Sequence, residues 1–91
     1  MKKRDVVNLN KYINQTVTVQ ATYYGIGNTS YYMIMDSTMS IYATETNNVV
    51  KPTPLVSASQ YKFTGIVRYG KPPGYYLSDD VYLEVTKIET T

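Results

Sequence analysis

From Thr16 to Tyr24 the chain alternates without a break, with Val17, Val19, Ala21 and Tyr23 on one side and Thr16, Thr18, Gln20, Thr22 and Tyr24 on the other. A period of two fits a strand with one face buried and is incompatible with a helix, whose side chains repeat every 3.6 residues. The rhythm returns in four further segments. Ser30 to Asp36 and Met39 to Thr44 are close enough for a hairpin through Asp36-Ser37-Thr38. Gln60 to Tyr69 sets Tyr61, Phe63, Gly65 and Val67 against Lys62, Thr64, Ile66 and Arg68, and Tyr75 to Ile88 carries Leu77, Val81, Leu83 and Val85 at even spacing. Such a chain is predicted to be all-β with five strands.

The remaining segments read as connections. Val6, Leu9 and Ile13 share one apolar face of a short helical or turn-like segment at α-helical spacing. Gly25, Gly27 and Asn28 mark a turn, since these residues tolerate positive φ. Residues 45–59, with Asn47-Asn48, Pro52 and Pro54, form a long irregular link with a helical turn around Leu55 to Ser59, because Pro54 suits a first helical position. Gly65 in mid-strand points to a bulge or sharp bend. Gly70 to Gly74, with Pro72-Pro73 inside, is a loop. Asp79-Asp80 makes a kink in the last strand; as strand neighbours pointing to opposite faces, the two carboxylates are a poor acid/base pair.

With 91 residues the chain is one domain, 1–91, with residues 1–5 as a flexible basic terminus. It has no cysteine and no histidine. That excludes disulfides, thiolate metal centres and a cysteine nucleophile, and it removes the commonest general base and metal ligand. No metal and no cofactor is implied. The 11 tyrosines beside one phenylalanine and no tryptophan must supply the aromatic part of any core and of any binding face. The net charge of +2 comes from Lys2, Lys3 and Arg4; without them six basic residues face seven acidic ones. That balance is far from a protein that binds mainly through phosphates. Asp5 interrupts the basic start before any apolar run, and no stretch is long enough to span a membrane, so a cytoplasmic protein is expected.

Tyr32-Met33-Ile34-Met35-Asp36 followed by Met39-Ser40-Ile41-Tyr42-Ala43 resembles the second hairpin of the OB-fold (oligonucleotide/oligosaccharide-binding) family. Phe63-Thr64-Gly65-Ile66-Val67 resembles its fourth-strand glycine motif, and Tyr76-Leu77 with Val81 to Val85 its fifth strand. The likeness covers residues 6–88. It departs from the family at Ser37-Thr38-Met39, where relatives usually carry a glycine, and in its low charge. The resemblance implies a five-stranded Greek-key barrel whose ligands lie across the outer face of strands two and three, between the loops joining strands one to two and four to five.

Mapped onto this sequence, that surface comprises Tyr24, Tyr31, Met33, Met35 and Tyr42, with Arg68, Tyr69, Lys71 and Tyr75 around the last loop. Rings with a few cations suit single-stranded DNA or RNA, because any base stacks on a ring while lysine and arginine follow the backbone. The nucleic-acid-binding type, as a module of a replication, repair or RNA-handling complex, is therefore one expectation. The other is a protein adaptor or homodimer, since methionines and tyrosines suit a protein partner equally well. Tyr23, Tyr32 and Tyr61 fall on inward positions as core, and Tyr31 with Tyr42 is equally readable as a cross-strand pair that only stabilises the hairpin. Arg68 and Lys71, taken alone, are more often solvated surface charges. Catalysis is not expected: none of the acids or hydroxyls sits in a phosphate loop or nucleophile elbow.

Overall fold

The alternating runs form β1 (Thr16–Tyr24), β2 (Tyr31–Met35), β3 (Ser40–Val50), β4 (Gln60–Gly70) and β5 (Asp80–Thr90), preceded by a 3₁₀ turn at Val6–Tyr12. The computed structural model describes residues 6–26, 31–38, 40–52, 54–71 and 79–91. The strands close into a barrel in the order β1-β2-β3-β5-β4. All neighbours are antiparallel except β3 and β5, which run parallel. The Gly27-Asn28 turn, Met39, the Pro72-Pro73 loop, Leu77 and the basic terminus lie outside the described residues, as does the expected stretch of strand from Tyr75 to Ser78. Among the described residues no helix is long and apolar enough to cross a membrane.

β1 spans the residues its alternation marks, and its inward set is buried: Val17, Val19 and Ala21 lose nearly all their exposure, and Tyr23 packs against the core. The 3₁₀ turn differs from expectation in one respect. At 3.6 residues per turn Ile13 would share a face with Leu9, but a 3₁₀ turn has three residues per turn, so positions i and i+3 eclipse. Leu9 and Tyr12 therefore turn to the core, and Ile13 is left exposed, bridging Val67 through its backbone. Asn14 ends the turn at φ 68°, a left-handed conformation that asparagine tolerates, and donates its N–H to the Val67 carbonyl at 2.6 Å.

β3 runs past the predicted end at Thr44 to Val50, through Asn47-Asn48. Asparagine is a poor strand former, and Asn47-Asn48 fall inside a register shift: Glu45 pairs with Val85, and pairing with β5 resumes at Val50 opposite Lys87. The irregular link is correspondingly shorter. The helical turn expected around Leu55 to Ser59 is absent. Instead Ala58, at φ 69°, donates to the Tyr23 carbonyl at 2.7 Å, while Tyr23 N–H donates to Ser59 O at 2.9 Å. The link thus extends the β1 edge by a pair of bonds, and Leu55 packs on the core.

Gly65 is where the wall bends. A β-carbon there would lie 2.9 Å from Val85 Cα and closer still to the Glu84 carbonyl oxygen, so only glycine lets β4 and β5 approach. At the same place the register shifts: Thr64 faces Lys87 while Gly65 faces Val85, which leaves Thr86 as an extra residue on β5. Its hydroxyl donates to Thr64 O at 3.1 Å. The bulge changes the parity of β5, so that Leu83 and Val85 point inward before it and Ile88 after it. Asp80 opens β5 and accepts the Val81 N–H at 2.8 Å, and the stretch of strand before the kink expected at Asp79-Asp80 lies outside the described residues.

Tyrosine fills the core with phenylalanine. Tyr23 stands edge-on to Tyr32, with centroids 4.9 Å apart, and Tyr61 edge-on to Phe63 at 6.2 Å. Their hydroxyls reach partners at the edge of the core: Tyr32 donates to Glu45 Oε2 at 3.0 Å, and Tyr61 accepts the Val56 N–H at 2.8 Å. Lys51 Nζ binds the other oxygen of Glu45 at 2.7 Å. Burial first, then the charge of Glu45 and its hydrogen bond, hold the Tyr32 phenol far above its ordinary value.

Candidate nucleic-acid interface

Strand pairing brings together outward side chains that lie far apart in the chain. Tyr24 on β1 pairs with Met33 on β2, Met33 with Tyr42 on β3, Tyr42 with Tyr82 on β5, and Tyr82 with Arg68 on β4. Four steps between strands make this stripe about 19 Å long along the wall. Because barrel strands are staggered, the stripe winds round the barrel, and it returns to the other end of β1, where Arg68 Nη1 donates to Asn14 Oδ1 at 3.1 Å. Tyr24 is 37% exposed, and Met33, Tyr42, Tyr82 and Arg68 are half-buried.

Two rows flank the stripe. On one side Met35, 38% exposed, pairs with Thr22 and Ser40. On the other, Tyr31 pairs with Thr44, Thr44 with Glu84, and Glu84 with Ile66. Thr44 points outward as expected, yet it is buried to 3% exposure, so the outward side chains beside it already form a packed surface. Tyr31 reaches diagonally over β2 and β3 to meet the Tyr42 ring edge-on, with centroids 5.3 Å apart and planes at 87°. Such a pair contributes about 0.5–1.5 kcal/mol beyond the area it buries, and it also braces the Tyr42 ring.

The structure thus places Tyr24, Tyr31, Met33, Met35 and Tyr42 on one continuous outer surface. Arg68 lies at its β4 end. Tyr69 does not share that face. It follows Arg68 by one residue, so the period of two turns it to the side that carries Val67; at the strand's end that side opens outward, and Tyr69 is 62% exposed. Lys71 is exposed beyond β4, and Tyr75 lies outside the described residues. Tyr82 is the residue that sequence reasoning missed. Its outward parity was readable from Val81 and Leu83, but its place beside Tyr42 depends on the parallel β3–β5 pairing, for which the sequence carries no local signal.

Electrostatically, the surface is nearly balanced where charge was expected. Arg68 Nε and Nη2 both lie on Glu84 Oε1, at 3.4 and 3.3 Å. Both side chains are about a third exposed, so solvent weakens the pair to no more than about 1 kcal/mol. Asp36 forms a local turn, accepting the Thr38 N–H at 2.8 Å. Among the described residues no group of three or more acidic side chains could hold a metal ion.

No family model matches the sequence, and no curated protein matches it. Solved structures do. The S. pombe Stn1-ten1 complex is similar with a TM-score of 0.71 and 13% identity, over 99% of this chain and 75% of the matched one. The telomere capping protein Ten1 from S. pombe is similar with a TM-score of 0.70 and 13% identity, over 98% and 79%. Asparaginyl-tRNA synthetase from Pyrococcus horikoshii, complexed with asparaginyl-adenylate, is similar with a TM-score of 0.67 and 21% identity, over 99% of this chain. The chain spans about a fifth of the synthetase chains it matches. These likenesses and the closed five-stranded order make the chain an OB-fold barrel.

Proposed function

We propose that this barrel binds single-stranded nucleic acid along the stripe from Tyr24 through Met33, Tyr42 and Tyr82, with bases stacking on the rings. The observation that carries the reading is the register itself, which lines up three tyrosines and a methionine across four adjacent strands on the outer face. Each stacked base contributes about 1–3 kcal/mol regardless of its identity, so the preference is for unpaired over paired nucleic acid more than for a sequence. Tyr31 braces Tyr42, Met33 lies between Tyr24 and Tyr42 with Met35 beside the stripe, and Lys71 and Tyr69 belong to the loop side. Arg68 contributes little net charge while paired. That a telomere capping protein and a tRNA synthetase share the fold supports a nucleic-acid ligand.

Anisotropy of labelled single-stranded DNA, single-stranded RNA and duplex at about 50 and about 200 mM salt tests this. The expected result is micromolar or tighter binding to a single strand, weakened roughly five- to hundredfold by Tyr42→Ala. No anisotropy change with either single strand at the lower salt overturns it.

The second reading, a protein adaptor or homodimer on the same surface, is favoured by the exposed Met35 and the neutralised Arg68, and by a similar fold in a two-protein complex. Light scattering after gel filtration separates the two: a dimer that ignores oligonucleotides supports this second reading, and a monomer that binds them the first.

A further inference from the structure

Resting on the single-stranded reading, we infer that Glu84 is a selectivity determinant of the surface: it neutralises Arg68 and so turns the face toward bases and away from phosphates. Glu84 stands two residues beyond Tyr82 on the same side of β5 and faces Thr44 and Ile66 across the strands. From there it takes two of the guanidinium nitrogens of Arg68 on one oxygen, at 3.3 and 3.4 Å, while the third nitrogen is held by Asn14 at 3.1 Å. Asn14 is itself fixed, its N–H bonded to Val67 O at 2.6 Å.

Each of the three nitrogens of the group best suited to grip a phosphate therefore directs an N–H at the protein, which takes up three of its five donors. The pair need not be unbreakable. A phosphate that displaced the carboxylate would still stand beside a negative charge of equal size, and the attraction of Arg68 would be largely offset. An unmasked arginine would instead add one neutralised phosphate to the binding equilibrium, and with it the salt dependence and sequence-blind duplex affinity that phosphate contacts carry. On a stacking surface that would raise duplex binding more than single-strand binding, because a duplex offers phosphates but hides its base faces.

The test is the anisotropy titration repeated with Glu84→Gln, Arg68→Gln and the double variant, on single-stranded and duplex probes across salt. Glu89→Gln on the same strand, where the carboxylate pairs with Lys87 at 3.6 Å, controls for a change of net charge alone. Glu84→Gln is expected to bind single strands more tightly, with a salt slope steeper by about 0.7, so that its gain is about two- to threefold larger at 50 than at 200 mM salt. The ratio of single-strand to duplex affinity falls, Arg68→Gln alone changes little, and the double variant loses the gain. Glu89→Gln leaves the slope unchanged. If wild type binds but Glu84→Gln weakens binding or leaves the slope unaltered, or if Arg68→Gln alone weakens it, Arg68 already meets phosphate and the inference falls while the stacking reading stands. If neither wild type nor Glu84→Gln binds, both are overturned.

Discussion

Tyr31 and Tyr32 are neighbours in β2, and the pleat sends them to opposite sides of the barrel wall. Tyr32 is 8% exposed, edge-on to Tyr23, with its hydroxyl on Glu45; Tyr31 is half-buried and edge-on to Tyr42 on the outer surface. The same residue type thus serves two ends. Inside, a tyrosine replaces a phenylalanine only where its hydroxyl can reach a partner, because an unpaired buried hydroxyl is costly. Outside, rings are kept partly accessible by the sheet beneath them, as the proposed stacking of bases requires. The inner set should therefore report on stability and the outer set on binding.

The premise that one wall separates the two sets is tested most severely at Gly65. Gly65→Ala drives a β-carbon into the β5 backbone at the bulge that sets which β5 residues face inward. A loss of about 3 kcal/mol or more is expected, from a total of only about 5–14 for a domain of this length. Denaturant unfolding of the variant near the wild-type midpoint would show that the wall does not depend on this close approach.

Tyr61→Ala, which empties a buried site against Phe63, is expected to cost about 3 kcal/mol or more, whereas Tyr42→Ala, which loses a half-buried ring and its edge-on pair with Tyr31, costs about 1–2 kcal/mol. Equal losses in urea unfolding would erase the distinction between them.

The smallest effect concerns the Tyr32 hydroxyl. Tyr32→Phe is expected to cost about 1 kcal/mol at neutral pH by removing one hydrogen bond to a carboxylate that keeps Lys51. Its pH arm is more telling. The folded protein holds the phenolic proton more tightly than the unfolded chain, in which it leaves near pH 10. The stabilisation is thus complete below about pH 10 and declines as pH rises above it, because the unfolded state alone can release the proton. Tyr32→Phe should flatten this decline relative to wild type in midpoints measured from about pH 8 to 11. Parallel curves would mean that Tyr32 ionises as readily folded as unfolded.

Where local pattern and tertiary pairing agree, the structure was legible in the sequence. The span of β1, the inward set of β4 and the need for a glycine at 65 follow from alternation and from a residue without a β-carbon, which are properties of a few neighbouring residues. Legibility failed where partners decide. β3 meets β5 again at Val50, beyond a register shift that takes up Asn47-Asn48, and Ile13 left the core because the turn tightened to three residues per turn. For the candidate surface, the outward side of Tyr24, Tyr31, Met33, Met35 and Tyr42 was readable one strand at a time.

By itself the sequence determined the material: strands of period two, tyrosine as almost the sole aromatic, no histidine or cysteine chemistry, and a charge confined largely to the first residues. Only the tertiary structure decided the arrangement. Parallel pairing of β3 with β5 set Tyr82 beside Tyr42, and closure of β4 onto β5 set Glu84 against Arg68. The physical reason is that alternation specifies which face a side chain takes, whereas the neighbour it meets there is chosen by strand order and register, which are properties of the whole barrel.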